Sequence, residues 1–403
     1  MKKILILGAS VYQAPLIRAA KRMGLYTVVA SVPGEYPGFA LADKVYRIDT
    51  TDKEAILEAA RQEQIDGICT SGTDVAVATI GYVCGHMGLA GVSEEAAARA
   101  TDKARMKEAF QAGGVCAASF LRASGYEEVC AAADRIGYPV VVKRVDSSGS
   151  RGITIVRERA GLAQAYRDAM ERTFRPYVLV EEKLGGVEIG VDGVVQNGRL
   201  VFLAPHDKFV YRSSRITIPA GHGFPYRAEE RVHREIRRQM ELAIAALGLD
   251  NCSVNADVFV DGDRVSIIEM GGRTGATCIP ELISMYYGFD FYEKILQNAL
   301  GIPLDFTPQR EGAPCMAKLL MSPVDGVITA VDEERLEALR SCGVQIAVDF
   351  PAGHKVDEMV DGTTRIGHVI ARADSVEDFD ALMARVYGCI EVNGTPLEEL
   401  WRK

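Results

Sequence analysis

Between residues 251 and 273, two carboxylates lie among apolar neighbours and an arginine lies among glycines. Apolar, β-branched runs flank the turn sequence at 261–263, which predicts a β-hairpin. Asp257 lies in the first arm, Glu269 lies in the second, and Arg273 follows in a loop of glycines. Hard oxygen ligands beside a fixed cation suit Mg²⁺ and phosphate chemistry. An ordinary hairpin with solvated acids contains the same residues and is the alternative.

The length of the turn decides whether these two acids can share an ion. A three-residue loop at 261–263 places Asp257 opposite Ile267, with Glu269 two residues further along on the same face. Diagonal neighbours of this kind are about 7–8 Å apart, which side chains and a bridging cation can span. A two-residue turn would place the acids on opposite faces. We therefore expect the three-residue loop.

A second candidate segment surrounds Lys143, which closes an apolar strand at 138–143. A glycine- and serine-rich loop follows at 146–152, and a strand returns at 153–156. Small residues let backbone N–H groups approach phosphate oxygens, and the lysine supplies a point charge. No helix with a following Lys-Ser closes the loop, so it is not a GxxxxGK[ST] P-loop. The segment predicts either a phosphate clamp or a hairpin turn with an exposed lysine.

A third candidate is a hinge after the apolar strand at 177–180. The apolar run ends at Glu181 and Glu182, two glycines follow at 185–186, and Glu188 comes after them. Backbone groups exposed at such a hinge could bind the edge of an adenine, and a carboxylate could hold ribose hydroxyls. The pattern therefore allows a nucleotide site.

The stretch at 206–223 predicts a long polar loop, and loops of this length in compact chains are more often functional than idle. His222 lies in it and is a candidate catalytic base. A histidine on a surface loop is the alternative.

Composition limits the class of protein. The 403 residues suffice for two or three domains, and 25% charged with 48% hydrophobic residues is ordinary for a soluble protein. A formal net charge of −9 argues against a general nucleic-acid or anionic-membrane binder. No apolar segment approaches the length of a membrane span. Nine cysteines without a CxxC motif indicate reduced thiols, and hence the cytoplasm.

Residues 1–100 alternate apolar strands with helical periodicity, which predicts βαβ units and a parallel sheet. The predicted strands are 3–7, 26–30, 45–48 and 67–70, and the predicted helices are 12–23, 52–63 and 75–87. The glycine at the end of the first strand does not complete a GxGxxG fingerprint, so a tight turn is favoured over a dinucleotide site. In the loop at 71–74, Thr73 or Asp74 is expected to cap the next helix, and a substrate site is the alternative.

The rest of the chain predicts further helices and a final α+β unit. The run Thr101-Asp102-Lys103 is an N-cap signal before a helix that ends near Gly113, and longer helices are expected at 227–247 and 278–300. From residue 306 onward, the pattern predicts strands at 315–321, 326–331, 344–348 and 366–372 and a helix at 376–386.

Taken in this order, the motifs resemble those of the ATP-grasp ligases, and the resemblance covers essentially the whole chain. Within that superfamily they look most like the carboxylate–amine ligases, particularly the L-amino-acid (dipeptide) ligases. The resemblance implies an α/β and α+β fold with a Rossmann-like pre-ATP-grasp domain at 1–100. A two-lobed ATP-grasp domain at 101–305, with its small lobe at about 115–184, and a C-terminal α+β lid domain at 306–403 would follow.

The resemblance also implies a role for each matching residue. Lys103 and Lys143 would contact ATP phosphates, and Asp257 and Glu269 would bind Mg²⁺, with Mn²⁺ as the alternative ion. Arg273 would steady the substrate carboxylate and the transferred phosphoryl group, acting with Lys143 as a catalytic residue. The remaining ATP-binding positions would be Ser147, Ser148, Gly149 and Gly152 over the phosphates, Glu181, Glu182 and Leu184 at the adenine, and Glu188 at the ribose.

One position departs from the family. An asparagine usually stands two residues after the metal-binding glutamate, and here that position is Gly271. Glycine offers no side-chain ligand, so the second Mg²⁺ would take more water. Three functions are compatible with the resemblance. The first is a ligase joining a carboxylate, an amino acid in the first instance, to an amine. The second is a carboxylase or carbamoyl-phosphate type enzyme acting through carboxyphosphate, and the third is an ATP-binding protein without catalysis.

The partners expected from these observations are a small-molecule carboxylate and a small-molecule amine. No nucleic acid and no membrane is expected. A homodimer is usual for this kind of ligase.

Overall fold

A computed structural model of the chain describes residues 1–145, 153–171, 173, 175–212, 217–360 and 362–402. Four of the residues assigned to the phosphates lie outside these described residues: Ser147, Ser148, Gly149 and Gly152.

The strands in chain order are β1 (Lys3–Leu7), β2 (Tyr26–Ser31), β3 (Lys44–Arg47), β4 (Gly67–Cys69), β5 (Phe120–Ala123), β6 (Val140–Lys143), β7 (Ile153–Val156), β8 (Val178–Glu182), β9 (Val187–Gln196), β10 (Arg199–Arg212), β11 (Thr217–Phe224), β12 (Cys252–Asp261), β13 (Arg264–Gly271), β14 (Cys315–Leu320), β15 (Gly326–Val331), β16 (Gln345–Val348), β17 (Lys355–Val356), β18 (Gly367–Arg372), β19 (Ile390–Val392) and β20 (Thr395–Pro396). The α-helices are α1 (Ala14–Arg22), α2 (Lys53–Glu63), α3 (Val77–Met87), α4 (Glu94–Thr101), α5 (Lys103–Ala112), α6 (Tyr126–Ile136), α7 (Leu162–Met170), α8 (Glu230–Leu247), α9 (Ile279–Tyr287), α10 (Phe291–Ala299), α11 (Glu333–Ser341), α12 (Val376–Tyr387) and α13 (Leu397–Trp401).

The chain divides into two compact units. The first comprises Met1–Ala204, Arg227–Thr274 and Tyr292–Phe306, and the second comprises Pro205–Tyr226, Gly275–Phe291 and Thr307–Lys403. Within the described part of the chain, no helix has both the length and the apolar character needed to cross a bilayer.

The first unit begins with the predicted parallel sheet, whose strand order is β3-β2-β1-β4. The apolar run Ile4 to Leu7 of β1 is fully buried, as expected for a strand covered on both faces. Asp52 caps α2 by accepting from the amide of Ala55, which stops the helix from extending towards β3. The predicted Rossmann-like α/β domain is confirmed.

An antiparallel sheet in the order β5-β8-β6-β7 follows in the same unit. Alternate residues of β6 point into a core shared with α6 and α7, where Val140, Val142, Leu162 and Val180 are fully buried. This alternation is what a sheet covered by helices on one face requires. The strand predicted to end at Lys143 therefore positions that lysine at the edge of a rigid core.

The strands β9, β12 and β13 pair in antiparallel fashion, with β12 in the middle. Along β12 the even-numbered residues Val254, Ala256, Val258 and Val260 are buried. The odd-numbered side chains therefore occupy the opposite face, because successive strand residues alternate.

The turn of the β12–β13 hairpin is shorter than predicted. Asp261 pairs with Arg264, so only residues 262–263 form the turn, and the predicted three-residue loop is wrong. Gly262 has a φ of 59°, and glycine at the first central position suits a type II′ turn. Its backbone twist matches that of the flanking strands, which explains why the shorter turn is preferred.

A β-bulge restores the shared face that the loop length alone would have destroyed. Val258 pairs with Ile267, whereas Asp257 pairs with Glu269, so Ile268 is the extra residue of β13. The two acids therefore lie directly opposite each other. The predicted common face is confirmed, but the bulge produces it.

The second unit contains the antiparallel strand order β11-β14-β18-β16 and a smaller sheet in the order β17-β15-β19-β20. Its core includes Leu320, Ile328, Leu336, Phe379 and Ile390, all fully buried. The predicted strands and the helix of the C-terminal α+β part are confirmed to within one or two residues.

The stretch at 206–223 is not the long loop that the sequence predicted. Strand β10 continues to Arg212, and β11 begins at Thr217 and pairs with it, from Asp207 opposite Gly223 to Arg212 opposite Thr217. Polar residues misled the prediction because they alternate with apolar ones on a paired strand, and the partner strand supplies the backbone hydrogen bonds.

The helix predicted at 278–300 is two helices, α9 and α10. Gly288 ends α9 with a φ of 87°, a left-handed conformation that stops a helix. The hydroxyl of Ser284 then accepts from the amide of Phe291, where α10 begins.

We predict that Gly186→Ala destabilises the first unit. Gly186 has a φ of 90°, and a Cβ there would lie 2.2 Å from the carbonyl oxygen of Val260, so the free energy of unfolding should fall by about 2 kcal/mol or more. Unfolding in urea measures this change in the free energy of unfolding. The matched control is Gly85→Ala in α3, where the new Cβ meets no described atom within 4 Å apart from the chain neighbours and the backbone of its own helix. This control should be neutral or stabilise by up to about 1 kcal/mol. Equal changes in the free energy of unfolding for the two variants would contradict the predicted clash at Gly186.

Candidate active site

The polar face of the β9–β12–β13 sheet brings the predicted metal ligands together. Because directly paired residues lie on the same face, each row across the three strands can be read from the pairing. One row is Gly190–Asp257–Glu269, and the next is Asp192–Asn255–Gly271. Glu188 pairs with Phe259, two residues along β12 from Asp257.

The pair Asp257 and Glu269 fits a hard cation. Directly opposed residues have Cβ atoms about 4.5–5.5 Å apart, within the span of one bridging ion. Among the described residues no three acidic, histidine or cysteine side chains are close enough to form a metal site by themselves. Two carboxylates suit Mg²⁺, which keeps several waters and takes its other ligands from substrate phosphates. The site therefore fits an ion that arrives with a nucleotide.

Lys103 joins this pair from the start of α5. Its ammonium lies 3.3 Å from Oε2 of Glu269. The helix begins there because Asp102 accepts from the amides of Ala104 and Arg105, so the N-cap signal at 101–103 is confirmed and Asp102 is its capping residue. The cap thus fixes the direction in which the lysine side chain leaves the helix.

Arg273 is held by two side chains of the first unit, and one of them is itself held by Asp192. Its guanidinium donates to Asp74 over 2.7 Å and to Oδ1 of Asn255 over 2.9 Å. Asp192 in turn accepts from Asn255 over 2.8 Å and from Thr274 over 3.2 Å. Burial opposes the charge, but Asp74 outweighs it and the pKa of Arg273 is raised. The arginine is therefore a permanently charged group in a fixed position.

Asp74 explains the glycine at position 271. A Cβ on Gly271 would lie 2.9 Å from Oδ1 of Asp74, so the carboxylate occupies the space that an asparagine would fill. The predicted capping role of Thr73 or Asp74 is wrong. Helix α3 starts only at Val77, with Ala76 at the N-cap position and no side-chain cap. Asp74 instead accepts a hydrogen bond from Arg273, which lies 199 positions away in sequence.

Glu181 lies between two lysines in the interior. Its Oε1 is 2.8 Å from the ammonium of Lys143, and its Oε2 is 3.3 Å from that of Lys107. The exposed fractions are 2% for Lys107 and 4% for each of the other two residues. Burial opposes ionisation of Glu181, but the two ammonium groups outweigh it and lower the pKa of the carboxyl. Burial also lowers the pKa of Lys107 to about 8.

Lys107 was missed by the sequence reasoning, although a signal for it exists. It lies one helical turn after Lys103 and three residues from both Ala104 and Phe110, which are buried. A lysine in the apolar stripe of a helix needs a buried partner, because an unpaired charge there is costly. The sequence does not show that this partner is Glu181.

The residues assigned to the adenine and ribose follow one another along the end of β8 and the start of β9. Glu182 accepts from the amide of Ser119 over 3.2 Å, and Leu184 is buried. Glu188 is half-buried on β9. The roles of these residues in binding the nucleotide stay predictions. The side chain of Glu181 forms ion pairs with Lys107 and Lys143.

His222 lies in the second unit and is not on a surface loop. It is 5% exposed on β11, and its ring centroid is 4.7 Å from that of His206. Burial, together with His206, lowers the pKa of His222 well below its ordinary value. The imidazole is therefore neutral at physiological pH, and its role as a base stays a prediction.

We predict that Glu181→Gln destabilises the protein by about 3–5 kcal/mol, because it leaves two buried ammonium groups without a counter-charge. The change in the free energy of unfolding is measured in urea. The same substitution at the exposed Glu58 of α2 is the control and should stay within about 0.5 kcal/mol. A wild-type stability for Glu181→Gln would show that the lysines need no counter-ion.

We also predict that Gly271→Ala and Asp74→Ala are not additive. The new methyl group displaces the Asp74 carboxylate and weakens its bond to Arg273, so Gly271→Ala should cost about 1 kcal/mol alone. In the Asp74→Ala background the clash is absent, and the same substitution should cost little. A double-mutant cycle of unfolding free energies measures the coupling, and strict additivity would contradict the contact.

Comparison with known protein families identifies two domains in the chain. A model of the ATP-grasp domain matches residues 136–281, and a model of the L-amino acid ligase C-terminal domain 2 matches residues 318–393. The formate-dependent phosphoribosylglycinamide formyltransferase of Parasynechococcus marenigrum is 26% identical over 405 residues, covering 97% of this chain and 98% of that protein. The alanine–anticapsin ligase of Bacillus subtilis is 26% identical over 267 residues, covering 60% of this chain and 56% of that protein.

Solved structures show the same fold over the whole chain. The phosphoribosylglycinamide synthetase of Anaerococcus prevotii has a TM-score of 0.79 at 26% identity, covering 97% of this chain and 99% of its own. The L-amino acid ligase of Bacillus licheniformis has a TM-score of 0.80 at 18% identity, covering 97% of this chain and 98% of the ligase chain. The resemblance inferred from the motifs is confirmed. The chain contains an ATP-grasp domain and a C-terminal domain of the L-amino acid ligase type, and its relatives support an ADP-forming enzyme that makes C–N bonds.

Proposed function

We propose that this chain activates a carboxylate, an amino acid in the first instance, as an acyl phosphate and couples it to an amine. The observation that carries the proposal is the face around the Asp257–Glu269 pair, which combines two carboxylates with two fixed cations: Lys103 contacts Glu269, and Arg273 is held by Asn255. Such a face matches the triphosphate of ATP with its metal. ATP-grasp enzymes use ATP and Mg²⁺, and Mn²⁺ is the alternative ion here.

The first step is transfer of the γ-phosphoryl group to the acid. A carboxylate is a poor electrophile because its charge repels an amine. Its oxygen attacks the γ-phosphorus, the bond from that phosphorus to the bridging oxygen breaks, and ADP leaves. Such a transfer needs positioning and charge neutralisation rather than covalent help from protein. Mg²⁺ held by Asp257 and Glu269 would neutralise phosphate charge, and Lys103 and Lys143 would orient the phosphates.

The second step is attack of an unprotonated amine on the acyl carbon. The C–N bond forms, the C–O bond to phosphate breaks, and the nitrogen loses a proton. The tetrahedral intermediate carries an oxyanion, which needs a preorganised donor in a site with little water. We assign this role to Arg273, because Asn255 and Asp74 hold its guanidinium in one orientation.

Nucleotide binding would use the segment from Glu181 to Glu188. Because the carboxylate of Glu181 pairs with two lysines, only its backbone is available to the adenine. The backbone at Glu182 and Leu184 would complete that contact, and Glu188 would bind the ribose. The loop at 146–152, with Ser147, Ser148, Gly149 and Gly152, would cover the phosphates.

The amino-acid assignment is supported by the type of the C-terminal domain and by the relative named for alanine–anticapsin ligation. The formyltransferase relative is named for formate, which is also a carboxylate. The deciding experiment is a matrix of amino acids, formate and bicarbonate against amines, scored by ADP formation and by product mass. An amide product supports the proposal. A response to bicarbonate alone would establish carboxyphosphate chemistry, and ATP binding without turnover would establish a non-catalytic protein.

We predict that Lys143→Ala and Glu269→Ala each lower Mg·ATP-dependent phosphate release by at least about 100-fold, because each removes a charge that stabilises the transferred group. Phosphate release is measured on the substrate pair that the matrix identifies. Lys53→Ala is the control, since Lys53 is half-exposed and pairs with Glu94 on the surface. Full activity of either site variant would overturn the site assignment.

A further inference from the structure

Lys107 is a buried cation that the proposed reaction steps do not use. Its exposed fraction is 2%, and its ammonium lies 3.3 Å from Oε2 of Glu181. The other oxygen of that carboxylate lies 2.8 Å from Lys143, the lysine assigned to the phosphates. One buried carboxylate therefore serves two buried ammonium groups.

The buried trio of Lys107, Lys143 and Glu181 carries one excess positive charge, because one carboxylate faces two ammonium groups. The charged groups that face Lys107 are Glu181, Lys143 and Glu269, and Glu269 is itself 3.3 Å from Lys103. A buried charge without full compensation is unfavourable unless a ligand of opposite sign completes it. A phosphate oxygen beside Lys143 would supply the missing negative charge.

The pairing also determines whether Lys143 can turn to a ligand. If Lys143 moves its N–H groups towards a phosphate, its contact of 2.8 Å with Glu181 weakens. Without Lys107, the carboxylate would then remain buried with no cation, at a cost that would hold Lys143 in place. With Lys107 on the second oxygen, Glu181 keeps a partner after Lys143 has moved.

We propose that Lys107 is a positioning residue for nucleotide binding: it retains Glu181, and thereby frees Lys143 to bind the phosphates. The inference rests on the proposed use of ATP. In this role Lys107 itself contacts neither the nucleotide nor the carboxylate and amine substrates. Its effect is confined to the phosphates, whereas a lysine that merely stabilised the fold would affect every part of the nucleotide alike.

The test compares binding of MgADP and of adenosine to the full chain by calorimetry. Lys107→Met should weaken MgADP binding by about tenfold or more, since a charge-assisted contact is lost. Its affinity for adenosine should change less than about twofold, because adenosine has no phosphate. Lys107→Arg keeps the charge and should bind MgADP within about threefold of the wild type. Lys53→Met is the matched control and should match the wild type.

A pH series gives a second measurement on the unmodified protein. Burial lowers the pKa of Lys107 to about 8, so the ammonium is present below that pH and is lost above it. The affinity of the wild type for MgADP should therefore fall between about pH 7 and pH 9. Lys107→Arg should show no such fall, because arginine stays protonated throughout.

The outcomes separate the two proposals. If the wild type binds no MgADP, the proposed function fails, and the role of Lys107 fails with it. If the wild type binds MgADP but Lys107→Met binds it equally well, or loses adenosine and MgADP affinity alike, only the role of Lys107 is overturned. Should Lys107→Met not fold, the pH series and Lys107→Arg decide: a flat wild-type profile overturns the proposal.

Discussion

The alternation of side chains along β12 is the constraint on which the site depends. Val254, Ala256, Val258 and Val260 are buried on one face, so the functional side chains must lie on the other. A slip by one residue would expose this apolar row and bury Asp257. Burying one such apolar side chain stabilises by roughly 1.5–3 kcal/mol, and burying an unpaired carboxylate costs more than that. The register is therefore strongly specified.

The bulge at Ile268 follows from the same constraint. The two-residue turn gives good hairpin twist but the wrong phase for Glu269, and one extra residue in β13 corrects it. The apolar side chain of Val265 stays buried before the bulge, and that of Met270 stays buried after it. The hairpin thus satisfies both the turn geometry and the core, and the acids become direct neighbours.

Paired charges organise the rest of the site. Lys103, Lys107 and Lys143 are tied to Glu269 and Glu181, and Arg273 is tied to Asp74. Each pair reduces the cost of removing a charge from water, and the two lysines that share Glu181 leave one positive charge that an anion can complete. Asp74 comes from the loop after β4, so the parallel sheet contributes directly to the position of Arg273. The glycine at 271 is part of this arrangement, since any side chain there would meet that carboxylate.

Residue types and local patterns alone predicted the parallel sheet, the helix start at 101–103, the hairpin and the final α+β strands, because these depend on neighbours within a few positions. The resemblance to the ATP-grasp ligases, not the local pattern, assigned one joint role to a set of residues that stays a prediction: Lys103, Lys143, Asp257, Glu269 and Arg273. Only the tertiary structure decided the bulge at Ile268, the pairing of β10 with β11, and the partners of Asp74 and Lys107. Those features depend on contacts between residues far apart in sequence, where burial and charge balance select among locally equivalent alternatives.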